Sequence, residues 1–238
     1  MNRTDLAVES AEVMSGKHGG AISQRVGNIS VTDIRSVSGT RYITLEGAPH
    51  EAGMAAILRR ALEQFVPRGG TILAAGLGNP DVTYDSFGAL TVRGLTAGRG
   101  RRGQLAAIET DIALRTGIET AALVRAAAAE LRADCVVAFD SLACKTPQRI
   151  GKTVQITDAG IVPGSGVGGD RKELSSRTTG VQTIVVGVPM MTELSSITHN
   201  EAHRGFAVTA ADVSVSVRLW AETAALALNE LVRVIHTG

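Results

Sequence analysis

The sequence is poor in aromatic residues, in cysteine and in net charge. Phe, Trp and Tyr make up 3% of the 238 residues, so Val, Ile, Leu and Ala must build the core that a hydrophobic content of 44% predicts. Two cysteines, Cys135 and Cys144, indicate no disulfide framework, and we expect them to stay reduced. A formal net charge of +1 argues against a dedicated nucleic-acid binder, which needs a concentrated basic surface.

Long apolar runs are also missing. The N-terminus, MNRTDLAVESAEVMSG, lacks the apolar centre of a signal peptide, and no run approaches the roughly 18 apolar residues of a membrane span. We therefore expect a cytoplasmic protein without membrane or direct nucleic-acid partners. The length and the absence of a linker favour one domain over residues 1–238, with residues 1–28 as a polar, mobile N-terminal arm.

Short apolar runs alternate with helical patterns, which favours a single three-layer α/β/α domain with a mostly parallel sheet. The first two predicted strands form a hairpin through Ser38 and Gly39, at an antiparallel edge of the sheet. Strands are predicted over 29–34, 41–46, 71–76, 134–140, 153–157 and 181–188, helices over 51–66, 86–97, 118–131 and 210–235, and a loop over 99–103.

Two predicted strands each lead to an aspartate. The strand Thr71–Gly76 continues into the turn of GLGNPDVTYDSFGAL, where Gly78 and Asn79 support a loop that ends at Asp85. The apolar run of DCVVAFDSLACK leads to Asp140. Parallel strands place their carboxyl ends at one edge of a sheet, where ligands of α/β proteins bind. We therefore expect Asp85 and Asp140 to meet there as a carboxylate pair or as part of a metal site.

A simpler interpretation is that both aspartates cap helices. Asp85 precedes a predicted helix and could accept hydrogen bonds from its first N–H groups, and Asp140 could cap whatever follows it. An aspartate after each of two predicted neighbouring strands favours a functional role, because two neighbouring carboxylates repel each other unless one is protonated or a cation intervenes. Such a perturbed titration is what acid–base catalysis uses.

A glycine-rich loop over residues 160–172 is the next candidate. Its glycines have a spacing like G-x-G-x-x-G, but no acidic partner sits at the required distance, so a structural or substrate-lining loop is favoured over a dinucleotide site. Ser165 and Gly166 lie in this loop, and its N–H groups and Lys172 could stabilise an oxyanion. Asp158, in QITDAG, is a third carboxylate near a strand end, where a role in the turn is slightly favoured.

Histidine and serine chemistry receive little support. His199 and His203 have i, i+4 spacing, but Glu201 does not follow the first histidine, so the H-E-x-x-H zinc pattern is absent. No G-x-S-x-G elbow occurs. We therefore expect no metal and no cofactor.

Several segments occur in an order that is characteristic of one family. RTDLAVES, RYITLE, GLGNPDVTYDSFGAL, TGIET, VVAFDSLA, VQITDAGIVPGSGVG and VVGVP resemble the germination proteases of endospore-forming bacteria, over about residues 3–189. The resemblance implies an atypical aspartic endopeptidase that degrades small acid-soluble spore proteins in the spore core. It also implies a fold similar to the hydrogenase maturation proteases and places the two essential aspartates at Asp85 and Asp140. We further expect a homo-oligomer.

The resemblance implies that the bond between Asp5 and Leu6 is a self-processing junction. The family's pro-segment before this junction is longer than the five residues here, so zymogen control is expected to be weak or absent. The family's C-terminal region, with any role in assembly or regulation, is also longer than the corresponding part of this chain.

Two related families and an inactive relative are the alternatives. Peptidyl-tRNA hydrolases also carry GLGNP, but they need a His soon after it, where this chain has Asp85 and Ser86. Hydrogenase maturation proteases carry a similar turn and bind nickel through two acids and a His, which would be His199 or His203 here. In the third alternative the fold survives as a binding module without catalysis.

Overall fold

The computed structural model of the protein describes residues 4–10, 19–100, 103–163 and 172–237. The strands are β1 Gly20–Val26, β2 Ile29–Arg35, β3 Arg41–Glu46, β4 Gly70–Gly76, β5 Gly98–Gly100, β6 Gly103–Glu109, β7 Cys135–Cys144, β8 Thr153–Thr157, β9 Gln182–Glu193 and β10 Ala207–Val208. The α-helices are α1 Met54–Leu62, α2 Phe87–Arg93, α3 Ala113–Thr116, α4 Thr120–Leu131, α5 Ser176–Thr179, α6 Leu194–Thr198 and α7 Val213–Thr237. Short 3-10 helices include Ala7–Glu9 and Thr83–Asp85.

The ten strands within the described residues belong to one mixed sheet. Its order is β1-β2-β3-β8-β9-β7-β4-β6-β5, and β10 pairs with β9. The four strands β9, β7, β4 and β6 run parallel, whereas the strands outside them are antiparallel to their neighbours. The predicted α/β class is confirmed, and the strand before Asp85 and the strand that carries Asp140 are parallel neighbours as expected.

Two apolar cores cover the two faces of this sheet, which gives the three predicted layers. Helices α1, α2 and α7 pack on one face around Trp220, which is fully buried and donates from Nε1 to the Gly151 carbonyl at 2.7 Å. Helix α4 covers the other face through Val124 and Ala128. Alternation along β4 serves both cores, because Ile72 faces one and Leu73 the other.

Most predicted elements form where the hydrophobic pattern placed them. β3 and β8 match their predicted bounds, and the hairpin of β2 and β3 forms. The helix predicted over 51–66 is shorter, because Gly53 at its N-cap has φ +87° and the regular helix ends at Leu62. The apolar stripe of the last helix is confirmed by the buried residues Val217 and Trp220, together with Ala224, Leu228 and Leu231. The side chain of Ile235, also assigned to that stripe, lies outside the described residues.

Two expectations about the periphery of the sheet were wrong. The β2–β3 hairpin is not the edge, because residues of the expected N-terminal arm form β1, which pairs with β2. The loop predicted over 99–103 contributes to two paired strands, β5 and β6; Arg101 and Arg102 lie outside the described residues.

None of the helices in the described ranges has the length and apolar character that a membrane crossing requires.

Candidate active site

The loop that carries Asp85 begins where β4 ends. The backbone N–H of Leu77 donates to the carbonyl of Phe139 on β7 at 2.9 Å, so the loop starts against the neighbouring strand. Gly78 follows with φ +92°, and a side chain there would overlap the carbonyl oxygen of Asp85 and lie 3.0 Å from its Oδ1. The backbone N–H of Asn79 donates to Asp85 Oδ2 at 2.8 Å. Gly78 and Asn79 thus shape the loop around the Asp85 carboxylate.

Asp85 does not occupy the N-cap position of the helix that follows. It is the last residue of a 3-10 helix, and Ser86 stands at the N-cap of α2. Asp85 is half-buried, and its Oδ2 accepts the hydrogen bond from Asn79, which lies before the 3-10 helix. The simple capping interpretation is therefore wrong for this residue.

Asp140 lies inside a strand rather than at the end of one. The expected strand end is wrong because Ser141–Cys144 continue the ladder with β9, where Asp140 itself pairs with Gly187. β4 pairs with β7 only as far as Phe139, so Asp140 is the first residue of β7 beyond the end of β4. It is 3% exposed, and its Oδ1 accepts the backbone N–H of Ser141 at 3.0 Å. A helix-capping role is excluded by this position.

The two aspartates lie close to the carboxyl end of β4, one in the loop after it and one on the neighbouring strand β7. The loop after β4 takes the place next to β7 that a longer β4 would occupy, as the bond from Leu77 to Phe139 shows. Cα atoms of the 3-10 helix that ends at Asp85 lie within 8 Å of Cα atoms in both β7 and β9. A side chain on Gly88 would overlap the Phe139 carbonyl oxygen, so α2 also begins directly against β7. This packing holds Asp85 at the carboxyl end of β4, where Asp140 is the first residue of β7 beyond that end.

A cleft of about 340 Å³ opens beside Asp140. Its lining includes Leu142, two residues along β7 from Asp140, and Gly187, its partner on β9. Residues two apart on a strand point to the same face, so the cleft lies on the face of the sheet to which Asp140 belongs. Its volume lies near the lower end of the range for ligand clefts, roughly 300–1,000 Å³. Asp5 and Gln155 also line it.

The segment that contains Asp5 and Leu6 is docked, although a mobile arm was expected. Leu6 is 1% exposed and packs with Leu142 and Cys144. The backbone N–H of Asp5 donates to the carbonyl of Ala143 at 3.0 Å, and the N–H of Ala143 donates to Asp5 Oδ2 at 2.8 Å. Burial of Leu6 and these bonds fix the segment beside β7.

Glu9 anchors the same segment. It is 8% exposed, and its carboxylate accepts hydrogen bonds from Thr4 Oγ1 at 2.6 Å, Lys145 N at 2.7 Å and Thr146 N at 3.1 Å, with Arg149 Nε 3.2 Å away. Burial alone would raise the pKa of Glu9, but the hydrogen bonds from Thr4 and the two backbone N–H groups outweigh it and lower the pKa. Glu9 is therefore held as a carboxylate.

Asp158 and Lys172 do not line the cleft, whereas Gly160 and Ile161, at the start of the predicted glycine-rich loop, do. Asp158 is exposed, and its Oδ1 accepts the backbone N–H of Arg41 at 2.9 Å, which ties β3 to the end of β8. Lys172 is exposed. Ser165 and Gly166 lie outside the described residues.

The histidines considered for a nickel site lie in the segment after β9. His199 is exposed, and His203 Nδ1 is 2.8 Å from the hydroxyl of Thr198. Within the ranges that the structure describes, no three His, Cys, Asp or Glu side chains are grouped so that they could hold a metal ion.

Comparison with protein families identifies the germination proteases. The model of the germination protease family matches residues 43–204, which include both aspartates. Germination proteases of individual bacteria are similar over more of the chain: that of Clostridium tetani is 29% identical over 83% of this chain, and those of Bacillus subtilis and Bacillus licheniformis are 30% and 31% identical over 82%. The matched regions span 72% of the Clostridium protein and 64% of each Bacillus protein.

Proposed function

Since this chain belongs to the germination protease family, we propose that it is an endopeptidase that acts during spore germination and uses Asp85 and Asp140 to activate water. One observation carries the proposal: the loop after β4 and the strand β7 bring the two aspartates to the same end of the sheet, and a cleft lined by Leu142 and Gly187 lies next to Asp140. The catalysis is of the aspartic type and needs no metal.

Each carboxylate is oriented by a backbone donor. Asn79 N–H binds Asp85 Oδ2, and Ser141 N–H binds Asp140 Oδ1. Two carboxylates that share one site do not both ionise readily, so the pair holds one proton near neutral pH. The pKa values belong to the pair, and the two roles are therefore assigned to the pair as a whole.

The reaction follows from one ionised and one protonated carboxylate. The ionised carboxylate takes a proton from a shared water, whose oxygen attacks the scissile carbonyl carbon, while the protonated carboxyl donates its proton to the carbonyl oxygen. The resulting tetrahedral intermediate collapses by breaking the C–N bond, and the departing nitrogen receives a proton from the carboxyl that took one from water. The oxygen-bound proton returns to the other carboxylate, so the pair is restored.

The proposed substrates are small acid-soluble spore proteins, cut between an acidic and an apolar residue. An extended, poorly structured chain enters a cleft without first being unfolded. The bond between Asp5 and Leu6 has the same acidic–apolar order and is proposed as a self-processing site. The proposal places the enzyme in the spore core as a homo-oligomer.

The decisive experiment measures hydrolysis of a spore-protein peptide with and without a chelator. Wild type should cleave in both conditions. Asp85→Asn and Asp140→Asn should each lose cleavage while keeping a cooperative thermal transition, because the amide preserves size and removes the charge. The exposed Asp158→Asn is the matched control and should retain activity. Full activity in either pair variant would refute the mechanism, and loss with chelator that nickel restores would assign the chemistry to a metal.

Self-processing has its own readout. Mass spectrometry of purified protein held at mildly acidic pH should reveal a new N-terminus at Leu6 in wild type and none in Asp140→Asn. An intact Met1 terminus in a preparation that already digests substrate would show that removal of residues 1–5 is unnecessary.

A further inference from the structure

Residues 4–6 and Ala7, the first residue of the 3-10 helix that follows, are bound in the protein largely through main-chain groups. The N–H of Asp5 donates to the Ala143 carbonyl at 3.0 Å, and the Asp5 carbonyl accepts from Gln155 Nε2 at 3.1 Å. The N–H of Ala7 donates to Gln155 Oε1 at 2.7 Å. Between these contacts Leu6 has extended backbone angles, φ −91° and ψ 125°. These contacts involve backbone groups that nearly every residue type carries.

The side chains of Asp5 and Leu6 occupy two chemically different positions. The Asp5 carboxylate accepts the backbone N–H of Ala143 at 2.8 Å, and hydrogen bonds to a charged acceptor are about twice as strong as neutral ones. The Leu6 side chain is 1% exposed against Leu142 and Cys144. We call the site formed by Leu142, Ala143, Cys144 and Gln155 the groove. Its contacts favour an acidic residue followed by an apolar one.

Gln155 is the centre of the groove. It lies on β8 and is 4% exposed, so its amide must find partners inside the protein. Reversing the amide would set its NH₂ against the N–H of Ala7 and its oxygen against the carbonyl of Asp5, so the main chain fixes its orientation. An empty groove would leave this amide without those two partners, which favours replacement of the segment by another peptide.

The groove adjoins the cleft next to Asp140, one of the two proposed catalytic aspartates. Asp5 and Gln155 line the same cleft as Leu142 and Gly187. Gly187 is the partner of Asp140 across the β7–β9 ladder, and Leu142 shares the face of Asp140. A longer peptide in this groove therefore has the cleft beside Asp140 within reach.

We propose that this groove is a binding site for an extended peptide with an acidic residue followed by leucine, that residues 4–7 are its internal occupant, and that Gln155 is the residue that grips the main chain of either. The assignment of that peptide to the substrate rests on the proposed peptidase function, whereas the binding site itself rests on the contacts of residues 4–7.

Binding is tested in the full-length chain with Asp85→Asn, which should prevent cleavage of the probe. The probe is a fluorescein-labelled peptide, Thr-Asp-Leu-Ala-Val-Glu with blocked ends, followed by fluorescence anisotropy. Leu6→Asp is added to expel the internal segment, because it places a charge against Leu142 and Cys144. The peptide should bind this double variant at least about tenfold more tightly than the chain with Leu6 intact.

Gln155→Ala in the same background should weaken binding by about tenfold or more, because the two main-chain contacts that Gln155 makes with the peptide are lost. Gln148→Ala changes an exposed glutamine that does not line the cleft and should leave the affinity unchanged. A probe with Asn in place of its Asp should also bind more weakly, since the charge on the acceptor of the Ala143 N–H is removed. Equal affinity with and without Leu6→Asp, or no effect of Gln155→Ala, would overturn the proposal.

Folding is checked by the thermal transition of each variant. If Leu6→Asp does not fold, Asp5→Ala replaces it, because this change removes the side-chain bond to Ala143 and leaves the apolar contact. Equal affinity with and without Asp5→Ala, or no effect of Gln155→Ala, would then overturn the proposal. If the peptide binds as expected but wild type does not hydrolyse spore-protein peptides, the proposed function is refuted and the binding site is kept. If wild type hydrolyses these peptides but Leu6→Asp and Gln155→Ala do not change the affinity, the binding site is refuted and the proposed function is kept.

Discussion

Gly78→Ala separates the geometry of the proposed active site from the stability of the fold. The residue has φ +92°, a conformation in which a side chain adds strain of about 1–2 kcal/mol. The new methyl group would also overlap the carbonyl oxygen of Asp85 and lie 3.0 Å from its Oδ1. Ordinary contact distances are about 3.5 Å or more, so the Asp85 loop must move by roughly 1 Å.

A displacement of about 1 Å at a reacting group can lower activity by about 100-fold. We therefore expect Gly78→Ala to reduce kcat/KM for a spore-protein peptide by about 100-fold. The matched control is Gly39→Ala in the β2–β3 turn, where φ is +91° and nothing lies within 4 Å of the added atom. That change carries the backbone strain alone and should lower the free energy of unfolding by about 1–2 kcal/mol without a loss of activity.

Urea unfolding and steady-state hydrolysis of both variants provide the measurement. Gly78→Ala activity equal to that of Gly39→Ala would show that the position of Asp85 does not matter to the reaction. A loss of activity in both variants would attribute the effect to general destabilisation.

Further expectations concern the cysteines and Glu9. Burial raises the pKa of the Cys135 thiol to about 12, and burial followed by the Glu9 charge raises that of Cys144 to about 12, so iodoacetamide at pH 8 should label neither in the native state and both after unfolding, as mass spectrometry would reveal. Because the pKa of Glu9 is lowered in the folded protein, its stabilisation is present above the unfolded pKa and is lost as pH falls through the folded pKa. Glu9→Gln should therefore lower the free energy of unfolding by about 1–3 kcal/mol at pH 7 and by progressively less as the pH is lowered below about 4.5; a difference that does not change with pH would contradict the role of the carboxylate.

The central strands could be predicted because their apolar runs are continuous. β4 and β9 are buried on both faces, and such strands appear in the sequence as unbroken apolar segments. β1 has no such signal, because every residue of Gly20–Val26 is exposed. Backbone pairing with β2 stabilises this strand, although its side chains show no apolar pattern.

The two aspartates were predicted for a reason that is only half right. Asp85 does follow a strand, but β7 continues past Asp140 because β9 is long enough to pair with it as far as Cys144. The sheet edge at Asp140 arises from the early end of β4 at Gly76, opposite Phe139. The length of a neighbouring strand cannot be read from the segment that contains Asp140.

Gln155 and Glu9 were missed for a related reason. Gln155 stands in TVQIT, where an amide inside a buried strand is the one local signal of a special role. Glu9 lies in a short stretch that looks like a polar arm. Their partners lie far along the chain: Ala7 is 148 residues from Gln155, and Glu9 is 136 residues from Lys145. No local pattern can reveal contacts of that separation.

The strand pairings of the sheet do not include residues 4–7. β7 and β8 each pair with β9, so the ladder that carries Gln155 and Ala143 does not depend on the segment. Release of residues 4–7 would therefore expose Leu142, Cys144 and one buried amide while leaving every strand pairing in place. Such a local opening needs less free energy than unfolding. A groove that opens this way can exchange its internal occupant for a peptide of the same chemistry while the fold and the sheet edge at Asp140 persist.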